Sequence, residues 1–430
     1  MRRRCRSLAA RSSSPPLISA QLPAGVSSAG NVVTLMLTVR SAYGATATAN
    51  ASVVVTWPTF NAAADVAGFV DDASARAAAS LQSGDSTAAL QVVSGLAVLL
   101  NSNDTVATPT AAANNTTVST QRASLLSIVA TAVTQSPTLT GTSSSVESTA
   151  ALVQQLVSSP SQLSDDGLTS AFTVLGAVAA APAGMSPAAA QSVVTALSAV
   201  ATAPSVAIGA SLSANGTSVG ATVLGVLDTL ASSQASGMSV AGQAAAVLAT
   251  PHIQMSVSLD DSVASERLFN GVVTAPGSNS TFGPLPPGTL AAAGGGLVST
   301  VFLSLAFDAH AAPNSTNASA AGVTRLLFRD AGTLAIVPVQ NLSRPLLFTL
   351  PTAPLGAAQT SACTWWDEVA GAYTGTECAS APNPAPPGHS VAFNPVFVAS
   401  SQTPTAVGRC HDCRTHFDAL VQSVPVCASS

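Results

Sequence analysis

The spacing of apolar residues changes once along this chain, near Pro251, and that change limits the folds open to it. Over residues 60–250 apolar residues recur every three or four positions, as they do on one face of an α-helix. Over residues 251–430 they alternate with polar ones, as at Ile253 and Met255, which is typical of half-buried strands. Helices and strands in separate blocks predict an α+β protein: an Ala-rich helical subdomain followed by an antiparallel β-sandwich.

Start signals divide the helical block into short helices. Ser186 followed by Pro187 marks a helix start, because proline suits the first helical position. Ser164 is likewise expected to cap a helix. We expect about seven or eight helices, the last two over residues 219–230 and 240–248.

The composition excludes several function classes. All 14 basic residues are arginine, the net charge is −5, and no basic patch follows the arginine-rich start, so nucleic-acid binding is not expected. The mean hydropathy of +0.44 reflects abundant alanine, since no run of about 20 strongly apolar residues occurs. No Gly-x-Ser-x-Gly, P-loop or His-Glu-x-x-His pattern occurs, so we expect no enzyme, no cofactor and no metal. Three acidic pairs are expected to cap helices or lie on the surface: Asp71-Asp72, Asp165-Asp166 and Asp260-Asp261.

The amino-terminal region has two parts. Residues 1–28 are rich in Arg and Ser, and we expect a disordered leader. They lack the apolar core of a signal peptide; a transit peptide and a truncated amino terminus are the two interpretations, and we favour the second. Residues 29–58 contain an alternating run, a Tyr-Gly turn and a β-branched run. They resemble the closing strands of a PKD- or REJ-type β-sandwich repeat, which implies a short sandwich remnant whose front is missing.

Five of the six cysteines lie between residues 363 and 427. Two aromatic-flanked pairs in a chain with little other cysteine are expected to form two disulfides in an oxidising compartment. A redox dithiol and a zinc site are the alternatives that cysteine spacing leaves open. The paired residues are Cys363, Cys378, Cys410 and Cys413, with Cys5 and Cys427 unassigned. The neighbouring aromatic residues, expected to pack in a core, are Trp365, Trp366 and Tyr373.

The order of these features carries a family resemblance. A helical block is followed by strands, by the string P-V-Q-N-L-S-R-P-L-L-F-T-L-P, by Cys-Trp-Trp and by a closing cysteine pair. This order resembles a GAIN domain ending in a GPS motif, as in the ectodomains of adhesion-type receptors and polycystin-like membrane proteins. The GPS-like element spans residues 363–420. The resemblance implies the pairs Cys363–Cys410 and Cys378–Cys413, with the aromatic residues packed under the motif.

Members of that family cleave themselves, and the matching positions here are altered. In the family a histidine deprotonates a Ser or Thr two residues on, and the hydroxyl attacks the preceding carbonyl. His416 matches the base, Phe417 replaces a leucine, and Asp418 stands at the nucleophile position. Aspartate has no hydroxyl for this reaction, so the element is predicted to remain uncleaved.

These features predict a non-catalytic cell-surface ectodomain, or a secreted relative, linking a recognition region to a membrane segment. We expect an extracellular protein or glycan as its ligand and a membrane segment downstream that this sequence lacks. The alternatives are an autoproteolytic domain with an aberrant site and a structural Ala/Ser/Thr-rich surface glycoprotein. Candidate glycosylation sites in Asn-x-Ser/Thr sequons are Asn50, Asn103, Asn215, Asn279, Asn314 and Asn341.

Overall fold

The fold is described from a computed structural model of the full chain. Beyond residue 337 the strands are described by their backbone pairing. The structure describes residues 30, 32–40, 45–56, 60, 63–101, 115–182, 184–203, 218–268, 273–274, 281–282, 288, 290, 296–307, 309, 323–337, 346–349, 359–367, 372–374, 378–381, 394–397 and 417–425.

The amphipathic segments before Pro251 form helices, as predicted. Hydroxyl side chains cap four of these helices by accepting a hydrogen bond from a first-turn backbone N–H, and they are Thr142, Ser164, Ser186 and Ser218. Short 3₁₀ turns at Pro137–Leu139 and Pro160–Gln162 follow α3 and α4. The helices are α1 (Ala63–Gln82), α2 (Ser86–Asn101), α3 (Asn115–Gln135), α4 (Ser143–Leu156), α5 (Asp165–Ala179), α6 (Pro187–Ala201) and α7 (Val219–Gly237).

Leucine, valine and alanine fill the core between these helices. Helix α3 lies centrally, packed against α1, α2 and α5, while α4 packs on α6. The alanines leave room for neighbouring helices to approach closely, and burial of the larger side chains supplies the driving force. Fully buried large residues include Leu125, Leu126, Leu156, Leu168, Leu175, Leu197, Leu227 and Leu230.

The prediction of a helix over residues 240–248 is wrong. Helix α7 ends at Gly237, and Gly242 adopts a positive φ of 75°, which ends any helical path. Strand β3 (Ala246–Ala249) then pairs antiparallel with β4 (Ile253–Asp261) and buries Leu248. The spacing of apolar residues alone cannot distinguish a short apolar helix from a short strand. Here pairing with β4 makes the segment a strand.

A seven-stranded antiparallel sheet carries most of the second block. Its strand order is β11-β10-β14-β8-β7-β4-β3. A short helix, α8 (Ser262–Leu268), follows β4 and was not predicted. The further strands of this sheet are β7 (Leu297–Leu305), β8 (Val323–Asp330), β10 (Gln359–Asp367), β11 (Ala372–Thr374) and β14 (Phe417–Pro425).

Two smaller sheets complete the described strands. The first has five antiparallel strands in the order β12-β13-β9-β6-β5. The second is the amino-terminal hairpin of β1 (Val32–Arg40) and β2 (Thr46–Val54), which confirms the strands predicted there. The five-stranded sheet contains β5 (Val273–Thr274), β6 (Thr281–Phe282), β9 (Leu346–Thr349), β12 (Cys378–Ala381) and β13 (Asn394–Phe397). Helices followed by antiparallel sheets confirm the α+β class.

The helical layer and the seven-stranded sheet share one core. Side chains from β4, β7 and β8, such as Met255, Leu303 and Leu327, lie in the same buried cluster as the helices. Helix α7 approaches the chain after β7 closely at Gly220, where an added Cβ would collide with the backbone of Ala309. The sheet is therefore anchored to the helices by direct packing.

Candidate functional site

The predicted GPS-like element contributes an interior strand to the seven-stranded sheet. Strand β14 begins at Phe417 and Asp418 and lies between β10 and β8. Its residues pair with β10 from Ala419 to Pro425 and with β8 from Phe417 to Leu420. Two hydrogen-bonded ladders therefore hold the chain that follows the family's cleavage position.

Some residues of the predicted element are brought close together by strand register. Trp366 lies opposite Tyr373, and Trp365 lies opposite both Thr374 on β11 and Ala419 on β14. The three aromatic residues predicted to pack in a core thus occupy adjacent strands at one edge of the sheet, and their packing stays a prediction.

Of the four cysteines predicted to pair and the predicted base, the structure describes the backbone of two cysteines. Cys363 lies in β10 of the seven-stranded sheet and Cys378 in β12 of the five-stranded sheet. Cys410, Cys413 and His416 lie outside the described residues, as do Cys5 and Cys427. The disulfides therefore stay a prediction, and so does the geometry of the family's reaction.

Opposite Asp418 in the β14–β8 register lies Arg325, a nearly buried arginine. Its Nη1 donates to Oδ2 of Asp228 on α7 at 2.9 Å, with 4% of the arginine side chain and 27% of the aspartate side chain exposed. Arg329, four residues along β8, places Nη2 3.5 Å from Oδ1 of the same carboxylate. One aspartate of the helical layer thus binds two arginines of the sheet, beside the strand that carries the altered nucleophile position.

Sequence reasoning missed this ion cluster, which consists of Asp228, Arg325 and Arg329. Residues 325 and 329 share the face of β8 that also carries Val323 and Leu327, and that face packs on the helices. The sequence V-T-R-L-L-F-R-D did contain a signal, because its two arginines are four residues apart and so lie on one face of a strand. Its partner Asp228, however, lies 97 residues from Arg325, so spacing offered no link.

Replacing Asp228 with asparagine should lower the free energy of unfolding by about 2 kcal/mol, because two nearly buried guanidinium groups would lose their shared anion. The estimate lies below that for a fully buried pair, since Asp228 is 27% exposed. Urea unfolding at neutral pH measures the change. The matched control is Asp72→Asn on the exposed surface of α1, expected to change stability by less than about 0.5 kcal/mol. Equal stability of the Asp228→Asn variant and the parent chain would contradict a stabilising role for the cluster.

The acidic pairs have the capping and surface roles that the sequence predicts. Asp261 accepts a hydrogen bond from Ala264 N at 2.6 Å and so caps α8. Asp165 and Asp166 occupy the first turn of α5, where the helix dipole favours negative charge. Asp71 is exposed and accepts from Gln121 Nε2 at 3.1 Å. Desolvation raises the pKa of Asp260, reinforced by the neighbouring charge of Asp261 and opposed by a hydrogen bond from Gly242.

A groove of about 390 Å³ between α1 and α3 is lined by small residues and one acid. Its acid, Asp71, is already bonded to Gln121, and the lining contains no histidine or cysteine. The part of the chain that the structure describes contains no group of three His, Cys, Asp or Glu side chains placed to hold a metal ion. The polar groups of the groove are therefore one carboxylate and three serine hydroxyls. Its lining is Asp71, Ser74, Ala75, Ala78, Ser124, Ser127 and Ile128.

Among the predicted glycosylation sites, the structure describes the side chain of Asn50, which is exposed in the middle of β2. The remaining sites lie outside the described residues, and they are Asn103, Asn215, Asn279, Asn314 and Asn341. Among the helices that the structure describes, none has the length and apolarity needed to cross a bilayer.

Comparison with known families matches the amino-terminal region. The model of the REJ domain family matches residues 4–94, which include the β1–β2 hairpin, all of α1 and the first half of α2. The match supports the REJ part of the resemblance and a polycystin-like ectodomain. It ends well before the GPS-like element, so the GAIN, GPS and PKD-like parts stay predictions. No curated protein matches the chain.

Proposed function

We propose that this protein is the non-catalytic extracellular part of a polycystin-like membrane protein, where it links a recognition region to a membrane segment. The observation that carries the proposal is the REJ match over residues 4–94. An extracellular protein or glycan would be the ligand of the recognition region, and the chain downstream of this sequence would supply the membrane segment.

The packing of the REJ-matched region supports a linking role. The match ends inside α2, and α2 packs against α1, α3 and α4. Val70 of α1 and Val93 of α2 are fully buried in the same core as Leu125 of α3. A force or displacement applied to the matched region would therefore reach the rest of the helical subdomain through a packed core, and would reach the sheet through the same core and the Asp228 ion cluster.

The position of β14 supports a GAIN-like end for the chain. This strand contains the family's cleavage position, between Phe417 and Asp418, and lies inside the sheet, held by ladders on both sides. A chain cut before Asp418 would stay assembled until the sheet unfolded, because separation would break both ladders. Cleavage can thus be judged only under denaturing conditions.

We expect the chain to remain intact, because Asp418 has no hydroxyl for the acyl shift. Electrophoresis and mass spectrometry of denatured protein should give the full 42.2 kDa polypeptide, apart from glycans. The matched control is His416→Ala, since self-cleavage needs the base and cleavage by a contaminating protease does not. A fragment beginning at Asp418 in the parent chain and missing from the His416→Ala variant would establish an active, aberrant site.

The extracellular assignment is tested by directing the chain into the secretory pathway of a eukaryotic cell with a cleavable signal peptide. Peptide mapping without reduction should find Cys363 and Cys378 oxidised, and digestion with a glycosidase should lower the mass. Free thiols throughout, together with no glycan at any sequon, would overturn the proposal.

A further inference from the structure

The two faces of the amino-terminal hairpin differ, because the hydroxyl and amide side chains that the structure describes lie on one of them. Because side chains alternate along a strand, residues paired in the β1–β2 register share a face with their neighbours two positions away. One face, called here the hydroxyl face, carries Thr34, Thr46, Thr48, Asn50 and Ser52, together with the apolar Met36 at its centre and the terminal pair Val32 and Val54. The other, the apolar face, carries Val33, Leu35, Ala47, Ala49, Ala51 and Val53.

Asn50 lies in the middle of the hydroxyl face. Every residue of β2 is exposed, and the residue opposite Asn50 is Met36, whose exposure is 70%. Ser52, the hydroxyl residue of the sequon Asn50-Ala51-Ser52, is on the same face and lies 3.4 Å from the hydroxyl of Thr34. A large group attached to the Asn50 amide would therefore extend into solvent without displacing a packed side chain.

We propose that Asn50 is an N-glycosylation site and that its glycan covers the hydroxyl face of the hairpin. The proposal rests on the extracellular function proposed above, since the transferase acts in the secretory pathway. The donor is an oligosaccharide joined through its anomeric carbon to a lipid diphosphate. The Asn50 amide nitrogen bonds to that carbon and gives up one proton to a base, while the carbon–oxygen bond breaks and the lipid diphosphate leaves with the electron pair.

The position of Asn50 places the glycan on one face of the hairpin and leaves the other face free for packing. A glycan on the hydroxyl face leaves the apolar face clear, where Leu35 is 39% and Val53 41% exposed. Had the sequon been shifted by one residue, the sugar would stand on the apolar face, because a shift of one position along a strand reverses the side. The sequon thus lies where sugar is compatible with later packing of the hairpin on another sheet.

The chain's scarcity of basic residues makes the test specific. Trypsin cleaves after Arg40 and Arg76, and the chain has no lysine, so residues 41–76 form one peptide with a single sequon. The chain is secreted from eukaryotic cells and treated with peptide N-glycosidase in heavy-oxygen water. Occupied Asn50 becomes heavy-labelled aspartate, which separates it from spontaneous deamidation before treatment. We expect most of the 41–76 peptide to carry this mark.

Three variants define the site. Asn50→Gln and Ser52→Ala each destroy the sequon and should lower the intact mass by one glycan, with loss of the mark from the 41–76 peptide. Ser52→Thr retains the sequon, and threonine suits a strand. This variant should therefore keep the mass of the glycan and the heavy-oxygen mark on the 41–76 peptide. Both positions are exposed, so secretion of the three variants is expected to match that of the parent chain.

Other sequons separate failure of this inference from failure of the proposed function. An unmarked 41–76 peptide beside marked peptides that contain Asn103 or Asn215 would overturn the Asn50 site and leave the extracellular function standing. Unmarked peptides throughout a secreted chain would overturn both. A mark that survives in Ser52→Ala would also overturn the Asn50 glycosylation site, because the hydroxyl residue would then not direct the modification.

Discussion

Replacing Arg122 with alanine should lower the free energy of unfolding by about 4 kcal/mol, one of the two largest effects expected in this protein. Arg122 lies in α3 with no exposed surface. Its Nη1 donates to the carbonyl of Leu156 at 2.8 Å, and its Nη2 donates to Asn101 Oδ1 at 2.7 Å and to the carbonyl of Leu100 at 3.3 Å. These acceptors lie at the carboxyl ends of α2 and α4, so one cation binds the negative ends of two helices.

The environment of this guanidinium explains why both its loss and its burial matter. Its Nε also donates to Gln162 Oε1 at 2.9 Å, on the 3₁₀ turn after α4. The partners are neutral, and burial lowers the pKa of Arg122 to about 10, so the group is still charged at neutral pH. Desolvation opposes folding, yet removal of the side chain would leave several buried acceptors without a donor and would open a cavity. We expect the second effect to be larger.

Graded substitutions at this position distinguish charge from geometry. Lysine has three donors on one atom and cannot reach acceptors on three elements, so Arg122→Lys should cost about 2 kcal/mol. Arg122→Met keeps much of the volume and should fall between lysine and alanine. The control is Arg76→Ala on exposed α1, whose Nε donates weakly to Asp72 O at 3.4 Å, with a change within about 0.5 kcal/mol. Guanidinium chloride unfolding measures the series, and a methionine variant as stable as the parent would refute the bridging role.

Gly220→Ala should destabilise the protein by about 3 kcal/mol, although alanine is the better helix former by about 1 kcal/mol. Gly220 lies in the first turn of α7, and an added Cβ there would collide with the Ala309 carbonyl. Both sides of this contact are backbone, and Ala309 is fully buried, so neither can move without shifting α7 or the segment after β7. The overpacking therefore exceeds the gain in helix propensity.

A second glycine in the same helix is the matched control. Gly225 is exposed, and a Cβ there would meet no atom within 4 Å. Gly225→Ala should therefore be neutral or stabilising by up to about 1 kcal/mol. Opposite signs for the two substitutions in thermal unfolding are expected; equal stabilisation by both would show that α7 and residue 309 are not in close contact.

Much of the architecture followed from local patterns. The caps at Ser164 and Ser186 were predicted from their position before apolar runs, and both accept the expected backbone hydrogen bond. The strand beginning at Ile253 was predicted from alternation, and its apolar residues 253, 255, 257 and 259 are buried, while Ser256 is buried as well. The helix predicted over residues 240–248 was wrong because a short apolar run fits the spacing of a helix and of a strand. Pairing of β3 with β4 outweighed helix propensity.

The members of the candidate site were predicted from motifs, and the place of its strands in the sheet was decided by the tertiary structure. Trp366 and Tyr373 were predicted as structural aromatic residues; they lie opposite each other in the register of β10 and β11, and their packing in a core stays a prediction. Asp418 was recognised as an altered nucleophile, but its place opposite Arg325 depended on β14 inserting between β10 and β8. Strand order in a sheet is a long-range property that alternation within each strand does not encode.

The sequence by itself determined the order of the elements, the α+β class and the REJ resemblance, because periodicity, caps and short motifs are local. Tertiary structure alone decided which charges are buried and which glycine is required. The Arg122–Leu156 contact spans 34 residues and the Arg325–Asp228 contact 97. Such pairs form only when packing brings distant segments together, and their energies arise from the desolvation and close approach that this packing creates.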